Sequence, residues 1–363
     1  MDVLYKYLAI YLLYVHSIMS YFKQVFNVVT QVQTLNYTAH AIEDLKVFAQ
    51  KISSRLPHSF TAITRIIELL RESQKFILPN CCDIFEPDEF QQPHLDLFHL
   101  PYPVCTFEAP WIMDDKNSGA IEAKLPTIKS TKRIALAVEL DADHQEPFLS
   151  QYNEIFLKRF PQGGVYVIPI FWVAESGWEV LTGGMFLPYQ NTLSRLTSND
   201  IKEHEVAFKT MYEAGRLEKT FSKLEAEPFV LMPEVFQFRI SQIGESLSYE
   251  QILLDSHDEV TCIVQACAVL NCENINTATI DPIAKSNQKR VKNNKEPFFS
   301  YHVLQINEKA SSNTSEGGSH RSPRSHLRRG HIRRLANKVV WVRSAMINAN
   351  SKDGKVIKEY KLP

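Results

Sequence analysis

Arg133-Ile-Ala-Leu-Ala-Val-Glu-Leu140 and Gly164-Val-Tyr-Val-Ile-Pro-Ile-Phe-Trp-Val173 are two short, almost unbroken apolar runs. Runs of this length read as strands, and continuous hydrophobicity in place of alternation marks strands at the centre of a sheet, covered on both faces. Outward from them, Leu100-Pro-Tyr-Pro-Val-Cys-Thr-Phe-Glu108 enters a further strand with Cys105 and Phe107 on one face, and Phe186 to Tyr189 closes the sheet region. Ser248 to Asn271 is long and largely apolar, which predicts a helix central to the core.

Toward the N-terminus the pattern changes to the three-and-four spacing of amphipathic helices: Phe22, Val25, Phe26, Val29 and Val32, then Ala41 to Ile52, then Ser59 through Ile63, Ile66, Ile67 and Leu70, with Pro79 as a stop. Tyr7 to Val15 is apolar but short of the roughly 20 residues a spanning helix needs, and no small-residue cleavage pattern follows it. It reads as part of a first helix, with Met1 and Met19 both possible starts. Prolines 87, 93, 101, 103 and 110 predict irregular chain and short edge strands from Pro79 to Pro110. Asn191 to Glu225 reads as helix, Asn287 to Lys295 as a basic loop, Pro297 to Ile306 as a strand, and Lys338 to Ile347 with Lys355 to Leu362 as a hairpin.

The expected fold class is therefore α+β: a helical region over 1–78, a central mixed β-sheet packed with helices over 79–306, a Ser/Gly/Asn-rich linker over 307–319, and over 320–363 a C-terminal β-hairpin framing a basic loop. With 363 residues and 44% apolar content, the chain can bury a substantial core. Its six cysteines are too sparse for a disulfide scaffold. Cys262, Cys267 and Cys272 are spaced by five, so on a helix they diverge by about 140° per step and cannot share a metal. They read as buried thiols.

Charge is divided along the chain. Net charge is −1, yet residues 285 to 363 hold 18 Lys and Arg against 5 Asp and Glu, a balance of +13, which leaves −14 for the remainder. His320 to Arg343 holds seven arginines, one lysine and three histidines with no carboxylate. Such a stretch calls for a polyanion. Pro323 and Gly330 predict an irregular loop that aims Arg321, Arg324, Arg328, Arg329, Arg333 and Arg334 in several directions at phosphates, because the guanidinium fork matches phosphate oxygens. His320, His326, His331 and Trp341 can stack on or hydrogen-bond to unpaired bases, and Lys289, Arg290 and Lys292 extend the surface. His320, His326 and His331 lack converging spacing and a neighbouring acid, so no metal is expected there, and no cofactor motif is present: Gly163-Gly164 and Gly183-Gly184 read as turns.

An enzymatic alternative rests on Glu139-Leu-Asp141-Ala-Asp143. If the strand continues, Glu139, Asp141 and Asp143 alternate onto one face at its C-terminal end and can hold Mg²⁺ for phosphodiester cleavage, with Glu175 as a fourth carboxylate. The bland reading is an acidic, solvated strand end.

The run Arg321-Ser-Pro-Arg-Ser-His-Leu-Arg-Arg-Gly-His-Ile-Arg-Arg-Leu335 followed by Val340-Trp-Val-Arg343 resembles the ending of a family of phage and mobile-element proteins that includes a type V-A anti-CRISPR inhibitor. Leu100 to Glu108, Leu270-Asn-Cys-Glu-Asn-Ile275 and Lys289 to Phe298 look like other blocks of that family. The likeness covers the last third well, the middle in patches and the N-terminus hardly at all. Arg324, His326, Arg328, Arg329, Gly330 and His331 are the positions that carry over. The resemblance implies an anti-defence regulator in the cytoplasm of a bacterial host. Its partner would be RNA or ribosome-associated message, or a CRISPR effector or its nascent chain, with no membrane. A protein-only inhibitor that docks on a defence complex is the further alternative.

Overall fold

The computed structural model describes residues 34–84, 90–112, 125–126, 129–272 and 275–304 in full, and the backbone alone of 305–306 and of four short strands between 326 and 347. The expected α+β architecture is present: two N-terminal helices, a mixed nine-stranded sheet and small two-stranded sheets. In chain order, helices α1 (Tyr37–Ile52) and α2 (Pro57–Glu72) lead into strand β1 (Gln74–Ile77). Pro57 starts α2, where its missing N–H costs nothing. A one-turn helix α3 (Gln92–Leu95) precedes β2 (Val104–Pro110) and β3 (Lys132–Leu140). Helix α4 (Ser150–Arg159) connects to β4 (Gly164–Val173), β5 (Gly177–Val180) and β6 (Gly183–Pro188).

Next come β7 (Ser194–Thr197), α5 (Val206–Glu213), β8 (Thr220–Lys223) and β9 (Glu227–Val230), then α6 (Pro233–Ile243) and the long α7 (Glu245–Leu270). Gly244, at φ 84°, separates the last two helices with a backbone conformation that L side chains rarely adopt. β10 (Ile275–Ile280), α8 (Ala284–Lys292) and β11 (Tyr301–Ile306) complete the large sheet, whose order is β10-β11-β1-β2-β3-β4-β6-β9 with β5 on β4. β11, β1 and β2 run parallel, and the remaining pairs are antiparallel.

The apolar runs of β3 and β4 are covered on both sides, as their composition demands. Ile134, Leu136, Val138, Tyr166, Ile168 and Ile170 meet α1, α2 and α4, while Ala135, Ala137, Val165 and Val167 meet α7. Cys105 and Phe107 share that second face, and Cys262, Cys267 and Cys272 of α7 are buried and free. Each large apolar side chain so buried contributes roughly 1.5–3 kcal/mol, so the two helical layers carry most of the stability. A buried ionic set pins α7 across the sheet: Arg133 of β3 meets Glu259 at 2.9 Å and Asp258 at 3.2 Å, and Arg216 meets Asp258 at 2.6 Å.

Several expectations are corrected. Asn191 to Glu225 is not a continuous helix; β7 pairs with β8 around the short α5, because the charges there alternate with too few apolar positions for a long buried face. Asn287 to Lys295 is mostly the C-terminal part of α8, not a loop. Gly183 and Gly184 lie inside β6, where a Cβ on Gly184 would sit 2.2 Å from the Val167 carbonyl oxygen. β2 is an interior strand between β1 and β3. At the C-terminus the basic stretch itself forms strands. β12 (His326–Arg328) pairs with β15 (Ala345–Ile347), and β13 (His331–Leu335) pairs with β14 (Lys338–Val342). The partner of Lys338–Val342 is thus the basic segment, and the expected strand at Lys355 to Leu362 lies outside the described residues, as do residues 1–33 and 307–319.

Candidate nucleic-acid surface and acidic strand end

Helix α8 carries Lys285, Lys289 and Lys292 at spacings of four and three, which places all three on one face, and Lys295 follows the helix end. All four are exposed, and among the described residues none is in an ion pair. Arg290 points elsewhere. Its Nη2 donates to Glu43 Oε1 at 2.7 Å, its Nε donates to the Glu296 carbonyl at 2.6 Å, and its guanidinium lies 3.9 Å from the Phe298 ring centre.

Glu296 is itself buried and accepts from Lys46 at 2.7 Å and from Arg71 at 2.8 and 3.0 Å. Burial acts to raise its carboxyl pKa, but the Arg71 and Lys46 contacts prevail and hold it below the usual range. Arg290 and Glu296 therefore clamp α8 and the following turn to α1 and α2, so the lysine row is presented on a rigid support. Arg290, expected to contact nucleic acid, is 11% exposed and has two of its guanidinium donors engaged in these contacts, so it holds the helix in place.

In the C-terminal strands, His326 and Arg328 lie opposite Ile347 and Ala345, and His331, Arg333 and Arg334 lie opposite Val342, Val340 and Val339. Two separate two-stranded ladders thus carry five of the expected contact residues, each opposite a neutral residue, and β14 adds Lys338 opposite Leu335. Arg321, Arg324 and Arg329 lie outside the described residues.

The acidic strand end is a separate place. β3 stops at Leu140 and the chain turns, so the strict alternation that would align Glu139, Asp141 and Asp143 does not continue. Asp141 instead folds the turn over itself: its Oδ1 accepts the backbone N–H groups of Asp143 and His144, each at 2.7 Å. That brings His144 Nδ1 to 3.0 Å from Asp141 Oδ1 and 3.8 Å from Glu139 Oε2. Donor atoms of Glu139, Asp141 and His144 lie within 4.8 Å of one another, whereas Asp143 is exposed and joins through its backbone. Glu175 follows the far end of β4, beside the start of β3 and a strand's length from Glu139, since β3 and β4 are antiparallel.

The Asp141 hydrogen bond raises the His144 pKa, and the neighbouring charges of Glu139 and Asp143 add to it. Slight burial works to raise the Asp141 pKa, but the His144 and backbone donors outweigh it, and the carboxyl sits below its ordinary range. Tyr189 donates to Glu139 Oε1 at 2.7 Å, and the His99 ring lies 4.2 Å from the Tyr189 ring. Burial raises the Tyr189 pKa, with Glu139 adding to the effect. One imidazole and two carboxylates suit a borderline divalent cation such as Mn²⁺ or Zn²⁺ better than Mg²⁺, which favours oxygen and water. Without a cation, His144 when protonated forms a surface ion pair with the same carboxylates.

His144 and Tyr189 were not legible as members of this group, since the turn that gathers them depends on where β3 ends. Lys285 could have been found, standing four residues before Lys289. Compared with known protein families, with characterised proteins and with solved structures, the chain has no match.

Proposed function

We propose that this protein is a nucleic-acid-binding regulator whose cargo is single-stranded RNA, held by the lysine face of α8 together with the basic arm His326–Arg334. The observation that carries this reading is the row Lys285, Lys289, Lys292 and Lys295, exposed and unpaired on a helix that Arg290 and Glu296 fix to the body. A face of cations left without carboxylates has a favourable outlet in phosphates, whose condensed counterions it releases. The resemblance of Arg321 to Leu335 to an anti-defence family supports placing this activity in a mobile-element regulator that acts on ribosome-associated message in a bacterial cytoplasm. Binding of the purified full chain to labelled single-stranded RNA over a salt series tests the reading. Affinity that falls linearly in log–log form with salt is expected, and absence of binding at low salt would refute it.

A second reading is favoured by the convergence of Glu139, Asp141 and His144: metal-dependent phosphodiester cleavage at the acidic strand end. Incubation of labelled RNA and DNA with Mn²⁺ or Mg²⁺ separates the two readings. Cleavage that survives Asp141→Asn removes this group from consideration.

A further inference from the structure

The large sheet ends on two kinds of edge. β9, at one end, contains Glu227 and Pro228, and Glu227 is held by Arg159; charge and proline are the usual means of blunting an edge against further pairing. Among the described residues β10, at the other end, pairs with β11 alone, and it reads Ile275-Asn-Thr-Ala-Thr-Ile280, with no charge and no proline. Asn276 is exposed on one face and Thr277 and Thr279 on the other, Ile275 alone is buried, and among the described residues nothing pairs with the outer edge of the strand. β-Branched residues dominate it, as suits a strand that gains a neighbour.

We infer that β10 is the joint between two copies of this chain, which pair there antiparallel to continue one sheet through both molecules. The sequence itself selects the second copy as occupant. Antiparallel pairing of identical strands places the two-fold axis perpendicular to the sheet, and one residue then lies opposite itself. Thr277-Ala278-Thr279 is symmetric about Ala278. With the axis there, Thr277 of each copy faces Thr279 of the other on both sides of the centre, and the small Ala278 side chains meet on the axis. Thr–Thr is a favourable cross-strand pair, and the backbone groups that β10 leaves open become bonded. An uncharged edge offers nothing to a polyanion, so this surface is distinct from the lysine face and does not depend on its function.

Sedimentation equilibrium of the full chain over a concentration series tests the inference. The wild type is expected to run at twice the chain mass at high concentration. Thr277→Lys/Thr279→Lys sets two pairs of like charges across the axis and is expected to weaken the dimer at least tenfold. Ala278→Cys gives an independent reading: residues opposite one another in an antiparallel pair have Cα atoms about 4.5–5.5 Å apart, within reach of a disulfide. Copper-catalysed oxidation by oxygen, which takes two electrons and two protons from the thiol pair, is expected to cross-link this variant and leave the wild type unlinked. Near-UV circular dichroism checks that each variant is folded, and if the lysine variant is not, the cysteine variant decides. A wild type that stays monomeric, a dimer that persists in the folded lysine variant, or a dimer that Ala278→Cys does not cross-link would each overturn the inference.

Discussion

Replacing Lys285, Lys289 and Lys292 together by alanine removes three exposed cations from one face of α8 without touching the contacts that hold the helix, since none of the three is in a described ion pair. If each meets one phosphate, each accounts for about 0.7 of the log–log salt slope on a single strand. The triple variant is therefore expected to lower the slope by about 2 and to weaken RNA binding uniformly across sequences. Alanine is the better helix former, so thermal stability should change by well under 1 kcal/mol. Fluorescence anisotropy with unstructured RNA of two unrelated sequences, measured from low to moderate salt, reads the slope and the uniformity together. Arg290→Ala supplies the contrast. It breaks the link to Glu43 and the Glu296 carbonyl, so it should cost about 1–3 kcal/mol of stability while changing the slope of the folded protein little. An unaltered slope in the triple variant would refute the assignment of α8 as the phosphate-contacting face.

Three further outcomes follow from buried and clustered groups. Glu108, fully buried in β2, accepts the N–H groups of Tyr37 at 3.0 Å and Thr38 at 2.7 Å and the Tyr301 hydroxyl at 2.7 Å; Glu108→Ala orphans all three donors and should cost about 3–5 kcal/mol in chemical denaturation, a loss below 1 kcal/mol showing that the carboxylate does not cap α1. Burial, opposed by the Gln251 hydrogen bond and by Arg239 and Arg133 and aided by Glu259, raises the Asp255 pKa to about 7. A raised acid contributes stability that is present below its unfolded value near 4 and lost as pH rises through about 7; Asp255→Asn should therefore flatten the decline in stability between pH 4 and 8, and an unchanged profile would count against it. Calorimetric titration with Mn²⁺ or Zn²⁺ should show binding that His144→Ala weakens at least tenfold and Asp143→Ala leaves nearly intact, the reverse order arguing for the three-carboxylate arrangement.

The parts of this protein legible in sequence are those governed by local pattern. The continuous apolar runs of β3 and β4 announce strands buried on both faces, and the three-and-four spacing in Ala41 to Ile52 and Ser59 to Leu70 announces α1 and α2, because burial on two faces or on one stripe leaves a direct trace in residue type. The cationic character of the last third is legible in the same way, as is the length of α7.

Tertiary structure decided whatever depends on partners distant in the chain. β10 and β1 are short, and Asn276, Thr277 and Thr279 are polar, so only pairing with β11 makes β10 a strand and only the sheet order makes it an edge. Arg290 and Lys289 are neighbours with the same charge, yet the rotation of α8 sends one to Glu43 and Glu296 and leaves the other free, a separation that no composition records. In the same manner the end of β3 at Leu140, set by where its neighbours stop, exchanged Asp143 for His144 beside Glu139 and Asp141. Residue chemistry thus determined which charges and apolar faces exist; the meeting of strands and helices far apart in sequence determined which of those charges are spent on holding the fold and which remain open to a ligand.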